Sequence, residues 1–368
     1  MSQYIHVIYT AAIFFPIIAL IITLPILIVN YHRYGALPKW NIFMLYTFVF
    51  YMICAYFLTI LPLPSRSFVA HLTTPTHNFV PFTFVTNFFK YNPFSLTHPG
   101  TWLAALKAPT VIQPAFNLLL TLPFGFYLRY YFNRNWKQTI LLSFCLSLFY
   151  ELTQLSGLYG IYPRPYRLFD VDDLLLNTLG GLLGGGLASL FSKVLPSKQK
   201  VRQSAAARSQ NVSPLRRGTA LAVDWIIIAI ISDLLNLIIG PRWLLTFIAW
   251  AILIIGAEIA NQRTIGMRVV GIRLTNQFGQ AASSLQIILR NAIAYGIIGG
   301  TFAIQGRLLD MTGYAPVSEL TTIKNIVLAL SFVLLLILVD LLIETFSQKH
   351  RLFFERLSGT DTKASRYH

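Results

Sequence analysis

Charge is what this 368-residue chain has least of. Only 11% of its residues are Asp, Glu, Lys or Arg, against roughly 25% in soluble globular proteins. A soluble enzyme of this length is excluded by that shortage of water-facing groups. Acids are scarcest of all: 13 Asp plus Glu stand against 29 Lys plus Arg, giving a formal net charge of +16. Cysteine is nearly absent, with two residues, and Cys54 and Cys145 both fall in apolar runs, so no disulfide framework is expected. Aromatics are not lacking, at 14% with 55% hydrophobic residues overall; disordered chains show the reverse composition. A mean hydropathy of +0.61 leaves the class of polytopic membrane proteins, which requires apolar runs of about 20 residues.

Such runs recur near Ile8–Val29, Ile42–Leu61, Val111–Phe132, Thr139–Leu155, Leu174–Leu195, Ala220–Ile239, Trp243–Ala260, Ile287–Ile304 and Ile326–Ile343. Backbone polar groups in a bilayer must satisfy one another within a segment. The expected fold is therefore an all-α polytopic membrane protein of about nine transmembrane helices. The first run lacks a basic leader and exceeds the roughly 7–15 residues of a signal-peptide core, so it reads as a span. Alternating the spans sorts the basic residues into 21 on one side and 8 on the other. The richer side should be cytoplasmic, which predicts the N-terminus outside and the C-terminus inside.

That sorting also disposes of nucleic acid as a partner, because the basic residues recur at every second loop instead of gathering on one face with stacking aromatics. Membrane lipids are the expected partners, with anionic headgroups at the cytoplasmic basic segments, above all Lys193–Arg217. Pro196–Pro214 is the one long polar stretch and reads as a flexible or weakly helical linker. It predicts a five-helix module over 1–195, a basic cytoplasmic linker over 196–213, and a four-helix module with a cytoplasmic tail over 214–368.

In the first module the loop Pro62–Thr110 is rich in aromatics, which suit the outer membrane interface. His71, His77 and His98 within it match no metal-ligand spacing, and neither a metal nor a cofactor is expected. Glu151 and Gln154, three apart, share a helix face. A 17-residue loop, Gly157–Asp173, carries Arg164, Arg167, Asp170, Asp172 and Asp173. On a helix Asp170, Asp173 and Asn177 form one stripe, with Asp172 pointing elsewhere. The short loop makes its two helices neighbours, so the Glu151/Gln154 face should meet that stripe near the outer surface, with Asn117 joining from the third span. Two readings stay open: a structural network in which Arg167 pairs with a carboxylate and Asp170 or Asp173 caps the fifth helix, or a ligand site, since ionisable groups in spans are costly and usually functional.

In the second module Arg217 and Asp224 are seven apart on one face. Asp224, Asp233, Glu258, Asp340 and Glu344 are acids in spans and each needs a partner. Gln262–Leu285, with Arg263, Arg268 and Arg273 among β-branched residues, fits a short hairpin or interfacial segment.

These residues carry two resemblances. Asn78-x-x-Pro81-Phe82, Asn117 with Pro123-x-Gly125, Glu151-x-x-Gln154, Arg167-x-x-Asp170-x-x-Asp173 and Asn177-Thr178-x-Gly180-Gly181, over about Ile42–Leu195, resemble the VanZ-like family. The second half, about Pro214–Lys363, resembles the RDD family through Arg217 and Asp224, Arg263–Leu274 with Arg268, Arg290-Asn291, and Phe353–Thr360, where Glu355 stands at a position usually held by Asp.

The first resemblance implies a protein of the bacterial cytoplasmic membrane, in a family named for teicoplanin resistance in Gram-positive bacteria. A lipid-linked cell-wall ligand, bound or moved at the outer leaflet, is the leading expectation. An ion-coupled transporter using Asp224, Glu258 and Asp340, and a membrane hydrolase or transferase using Glu151, are the alternatives. No HExxH, GxSxG, P-loop or cysteine-nucleophile motif is present, which ranks binding or transport ahead of catalysis.

Overall fold

The structure, a computed structural model, describes residues 2–240, 243–314, 316–346 and 351–365. Three residues of the basic count, Arg242, Lys349 and Arg366, lie outside them. The chain divides into two units, one comprising 1–21 with 39–201, the other 22–38 with 202–368. Helix α1 (Ser2–Tyr34) contributes to both, and the division falls between Val201 and Arg202, inside the expected linker.

The first unit continues with α2 (Lys39–Ile60), then short elements: α3 (Arg66–Ala70), strand β1 (His77–Asn78), α4 (Thr83–Tyr91) and α5 (Trp102–Leu106). The long helices α6 (Pro109–Tyr130) and α7 (Trp136–Leu155) follow. A tight turn, α8 (Gly157–Gly160), leads through strand β2 (Phe169–Asp170) to α9 (Val171–Phe191). Local signals set the boundaries. Pro109 occupies the first turn of α6, where its missing N–H costs nothing. Asn135 and Gln138 form a reciprocal capping box at the start of α7, and Asp170 caps α9.

Helices α6 and α9 run parallel and in close contact. The Thr121 hydroxyl donates to the Asn177 carbonyl at 2.5 Å. Gly180 lies against the Leu118 carbonyl, Gly184 against that of Leu122, and Gly125 against Gly181, at separations where a Cβ would overlap the facing backbone. Small residues allow that approach, as in membrane helix pairs generally. Helix α7 returns antiparallel beside them: Ser143 faces Gly181, Ser147 bonds Asn177, and Glu151 meets Asp170.

Eight helices among the described residues are long and apolar enough to cross a membrane, and α7 is not one of these. Its buried positions are Thr139, Ser143, Ser147, Tyr150, Glu151, Thr153 and Gln154, which lowers its hydropathy. It nonetheless connects two parallel spans, so it recrosses the same depth. With it the described residues supply nine crossings.

In the second unit α10 (Lys198–Arg208), shared across the division, leads to α11 (Pro214–Ile239), α12 (Trp243–Trp250) and α13 (Ala257–Asn261). A π-helical turn, Ala251–Gly256, joins α12 to α13. Then come α14 (Ile265–Val269), strand β3 (Ile272–Asn276), α15 (Ser284–Met311), α16 (Val317–Phe346), α17 (Phe353–Ser358) and strand β4 (Thr360–Ala364). The expected local hairpin within Gln262–Leu285 is replaced by a distant pairing: β3 lies antiparallel to β4, with Leu274 opposite Thr362. Met267, Val270 and Ile272 pack with Ala220 and Tyr31 into a buried apolar cluster.

Candidate functional site

In the first unit the acids gather where α9 begins. Strands β1 and β2 pair in parallel, which sets Asn78 opposite Asp170. The Asn78 amide donates to Asp170 Oδ1 at 3.2 Å, and that oxygen also accepts from the Asp172 N–H at 2.9 Å. Glu151, 2% exposed, accepts from the Asp170 N–H at 3.0 Å. Asn117 donates to Asp173 Oδ1, and Ser147 links Asp173 to Asn177 by accepting from the Asn177 amide at 2.9 Å and donating to the Asp173 carbonyl at 3.2 Å. Asp172, buried, accepts from the N–H groups of Phe82 and Phe84 at 2.6 and 2.9 Å. This holds the start of α4, where Phe82 takes a left-handed φ of 63°, over the start of α9.

The expected meeting of Glu151, Asp170, Asp173, Asn177 and Asn117 is therefore present, with three differences. Gln154 turns from the cluster and donates to the Thr59 carbonyl of α2 at 2.9 Å. Arg167 donates to the Leu61 carbonyl at 2.8 Å and forms no ion pair among the described residues. Asp170 precedes the helix as its cap, so the stripe on α9 itself begins with Asp173. Asn78, Ser147 and Asp172 are the partners that spacing alone did not assign. Tyr166, in the loop before β2, donates to the Ile60 carbonyl at 3.0 Å, and burial pushes its phenol up to about 12.

Between α4, α6 and α9 lies a cavity of about 210 Å³, bordered by Asn87, Gln113, Asn117, Asp170, Asp172 and Asp173. Both Asp172 oxygens are used internally, whereas Asp170 Oδ2 and Asp173 Oδ2 accept no hydrogen bond from the described residues. Above it the segment carrying α4 exposes Phe79, Val80, Phe82, Phe89 and Tyr91, with Phe89 80% exposed. The arrangement offers acceptors within and an apolar surface outside. No group of three or more His, Cys, Asp or Glu is placed to hold a metal among the described residues.

The second unit has its own charged contacts. Asp224 accepts from Thr264 Oγ1 at 2.5 Å and from the Gly266 N–H at 2.7 Å, fixing the start of α14. Arg217 pairs with Glu355, which is fully buried and also accepts from Thr362 at 2.6 Å. Glu258 takes Arg290 at 2.9 Å and Asn291 at 2.7 Å. Arg356 bridges Asp340 and Glu344. Arg268 and Asp233 are exposed. Among the described residues the fully buried arginine is Arg216, which spacing did not single out: it donates to the carbonyls of Ser209, Val270 and Gly271, each at 2.8 Å.

Apolar membrane-length helices and polar groups sequestered at their ends define a multi-pass α-helical membrane protein. Residues 48–192 match the family model VanZ/LLP1, and residues 212–359 match that of the RDD family. The chain therefore carries a VanZ-like module followed by an RDD module, and it is a membrane protein of the cell envelope. No curated protein and no solved structure matches it.

Proposed function

We propose that the first unit binds the polar head of a lipid-linked envelope ligand at the outer leaflet, and that this binding lowers susceptibility to glycopeptides such as teicoplanin. The carrying observation is the cavity beneath α4, with Asp170 and Asp173 oxygens open inside it and Phe82, Phe89 and Tyr91 exposed beside it. An amphiphile whose head donates hydrogen bonds or bears a cation suits both surfaces. Exposed apolar groups on a short amphipathic helix favour the membrane interface. The charge asymmetry of the loops supports an outward position for this end.

The test is teicoplanin susceptibility in cells expressing the wild-type chain, Asp170→Asn or Glu151→Gln at equal levels. Asp170→Asn removes a carboxylate from the cavity wall, and Glu151→Gln replaces the carboxyl that accepts from the Asp170 N–H while retaining an acceptor. Both variants should lose the protective effect. Unchanged susceptibility in both would sink the proposal.

A further inference from the structure

A second cavity, of about 270 Å³, lies in the same unit at the opposite ends of α2, α6 and α9. It is bordered by Trp40, Asn41, Arg129, Asn133, Ser192 and Lys198, among others. Every acid of this unit is remote from it. The chain has no Asp or Glu before Glu151 and none between Asp173 and Asp224, so the unit's acids are Glu151, Asp170, Asp172 and Asp173. Those cluster beside Asn117, and twelve residues of helix from Asn117 to Arg129 span roughly 18 Å. No carboxylate of this unit neutralises the cavity.

Arg129 is the central cation. One terminal nitrogen donates to the Arg134 carbonyl at 2.6 Å, and the guanidinium lies 4.5 Å from the Trp136 ring centre. Its Nε is buried without a hydrogen-bond partner among the described residues. No carboxylate pairs with this guanidinium among the described residues, and an anion in the adjoining space would balance its charge. The amides of Asn41 and Asn133 border the same space and make no hydrogen bond among the described residues, so they offer further donors. At the rim Trp40 donates to the Tyr130 hydroxyl at 2.8 Å, and that hydroxyl donates to the Pro196 carbonyl at 2.9 Å. Trp and Tyr favour the headgroup level of a bilayer. The volume is slightly below the roughly 300 Å³ at which pockets for whole drug-sized ligands begin, which fits a headgroup with its chains left outside.

We infer that this cavity is a phosphate-binding site held by Arg129, and that an anionic phospholipid fills it with its phosphodiester while its acyl chains remain in the bilayer. Basic pockets between membrane helices bind anionic headgroups in this way. The site is separate from the acidic cavity and does not depend on its assignment.

The test uses the full-length protein in detergent micelles, titrated with dioleoylphosphatidylglycerol or dioleoylphosphatidylcholine and read by native mass spectrometry. The wild type should retain phosphatidylglycerol at least tenfold better than phosphatidylcholine. Arg129→Gln should abolish that preference, while Lys137→Gln, outside the cavity, should preserve it. Should Arg129→Gln fail to fold, Ser189→Leu at another lining position narrows the cavity without altering a charge and should also abolish the preference. A parallel arm adds inorganic phosphate: displacement of the lipid at millimolar phosphate supports the anion site with free phosphate as its occupant, and no displacement supports the lipid. Equal retention of the two lipids by the wild type, or a preference that survives both Arg129→Gln and Ser189→Leu, overturns the inference.

Discussion

Replacing Gly184 with alanine sets a methyl group where the Leu122 carbonyl oxygen of α6 now stands. Two backbones meet there, so no side-chain rotation relieves the overlap and α6 must move away from α9. Forcing extra volume into a fitted interface costs roughly 1–3 kcal/mol. Separation also strains the Thr121–Asn177 and Asn117–Asp173 hydrogen bonds, each worth about 0.6 kcal/mol between membrane helices. Alanine returns up to about 1 kcal/mol of helix propensity. The net is a loss of about 1–3 kcal/mol, a 5- to 150-fold fall in the folded-to-unfolded ratio. The assay is SDS-driven unfolding of the full chain in mixed micelles, followed by far-ultraviolet circular dichroism. Gly186, two residues on, has nothing within 4 Å of an added Cβ, so Gly186→Ala should keep wild-type stability or gain slightly. If Gly184→Ala and Gly186→Ala unfold at the same SDS fraction, the close parallel packing of α6 and α9 is refuted.

Two further outcomes follow from buried carboxylates. Glu355→Ala leaves Arg217 and Thr362 without their acceptor and should cost about 3–5 kcal/mol, the usual penalty for breaking a buried pair; thermal unfolding in detergent should show a markedly lower midpoint, whereas a midpoint equal to wild type would dismiss the pair. Asp172→Asn has one acceptor oxygen for the two N–H groups of Phe82 and Phe84, so α4 should loosen. Limited proteolysis should then cut within 79–95 several-fold faster than in wild type, and equal rates would dissociate Asp172 from the placement of α4.

Much of this architecture is legible in the composition, because a bilayer permits few solutions. Apolar runs locate the spans, and scarce acids point to the start of α9. Spacing, however, assigns a helix face and not a partner. Glu151 and Gln154 share a face of α7, yet Gln154 finds the Thr59 carbonyl on α2 while Glu151 finds the backbone of Asp170. Arg167 is a natural candidate for a carboxylate partner, but its guanidinium donates instead to the Leu61 carbonyl. Asp172, two residues beyond the cap, is turned toward α4 by a contact some 90 residues away in sequence. The β3–β4 pairing was hidden for the same reason: its two strands are separated by the whole of α15, α16 and α17. The run Thr139–Leu155 marks α7 despite its lower hydropathy, which arises because its polar positions face other helices and not lipid.

We propose, from the charge asymmetry of the loops, that the acidic cavity of the first unit opens to the cell exterior and the cationic one to the interior. Cysteine labelling in intact cells tests it directly, after Cys54 and Cys145 are changed to serine. Asn87→Cys borders the acidic cavity and Ser192→Cys the cationic one. A membrane-impermeant maleimide should modify Asn87→Cys in intact cells and Ser192→Cys only after permeabilisation. The reverse pattern would place the acidic cavity on the cytoplasmic side and contradict the account.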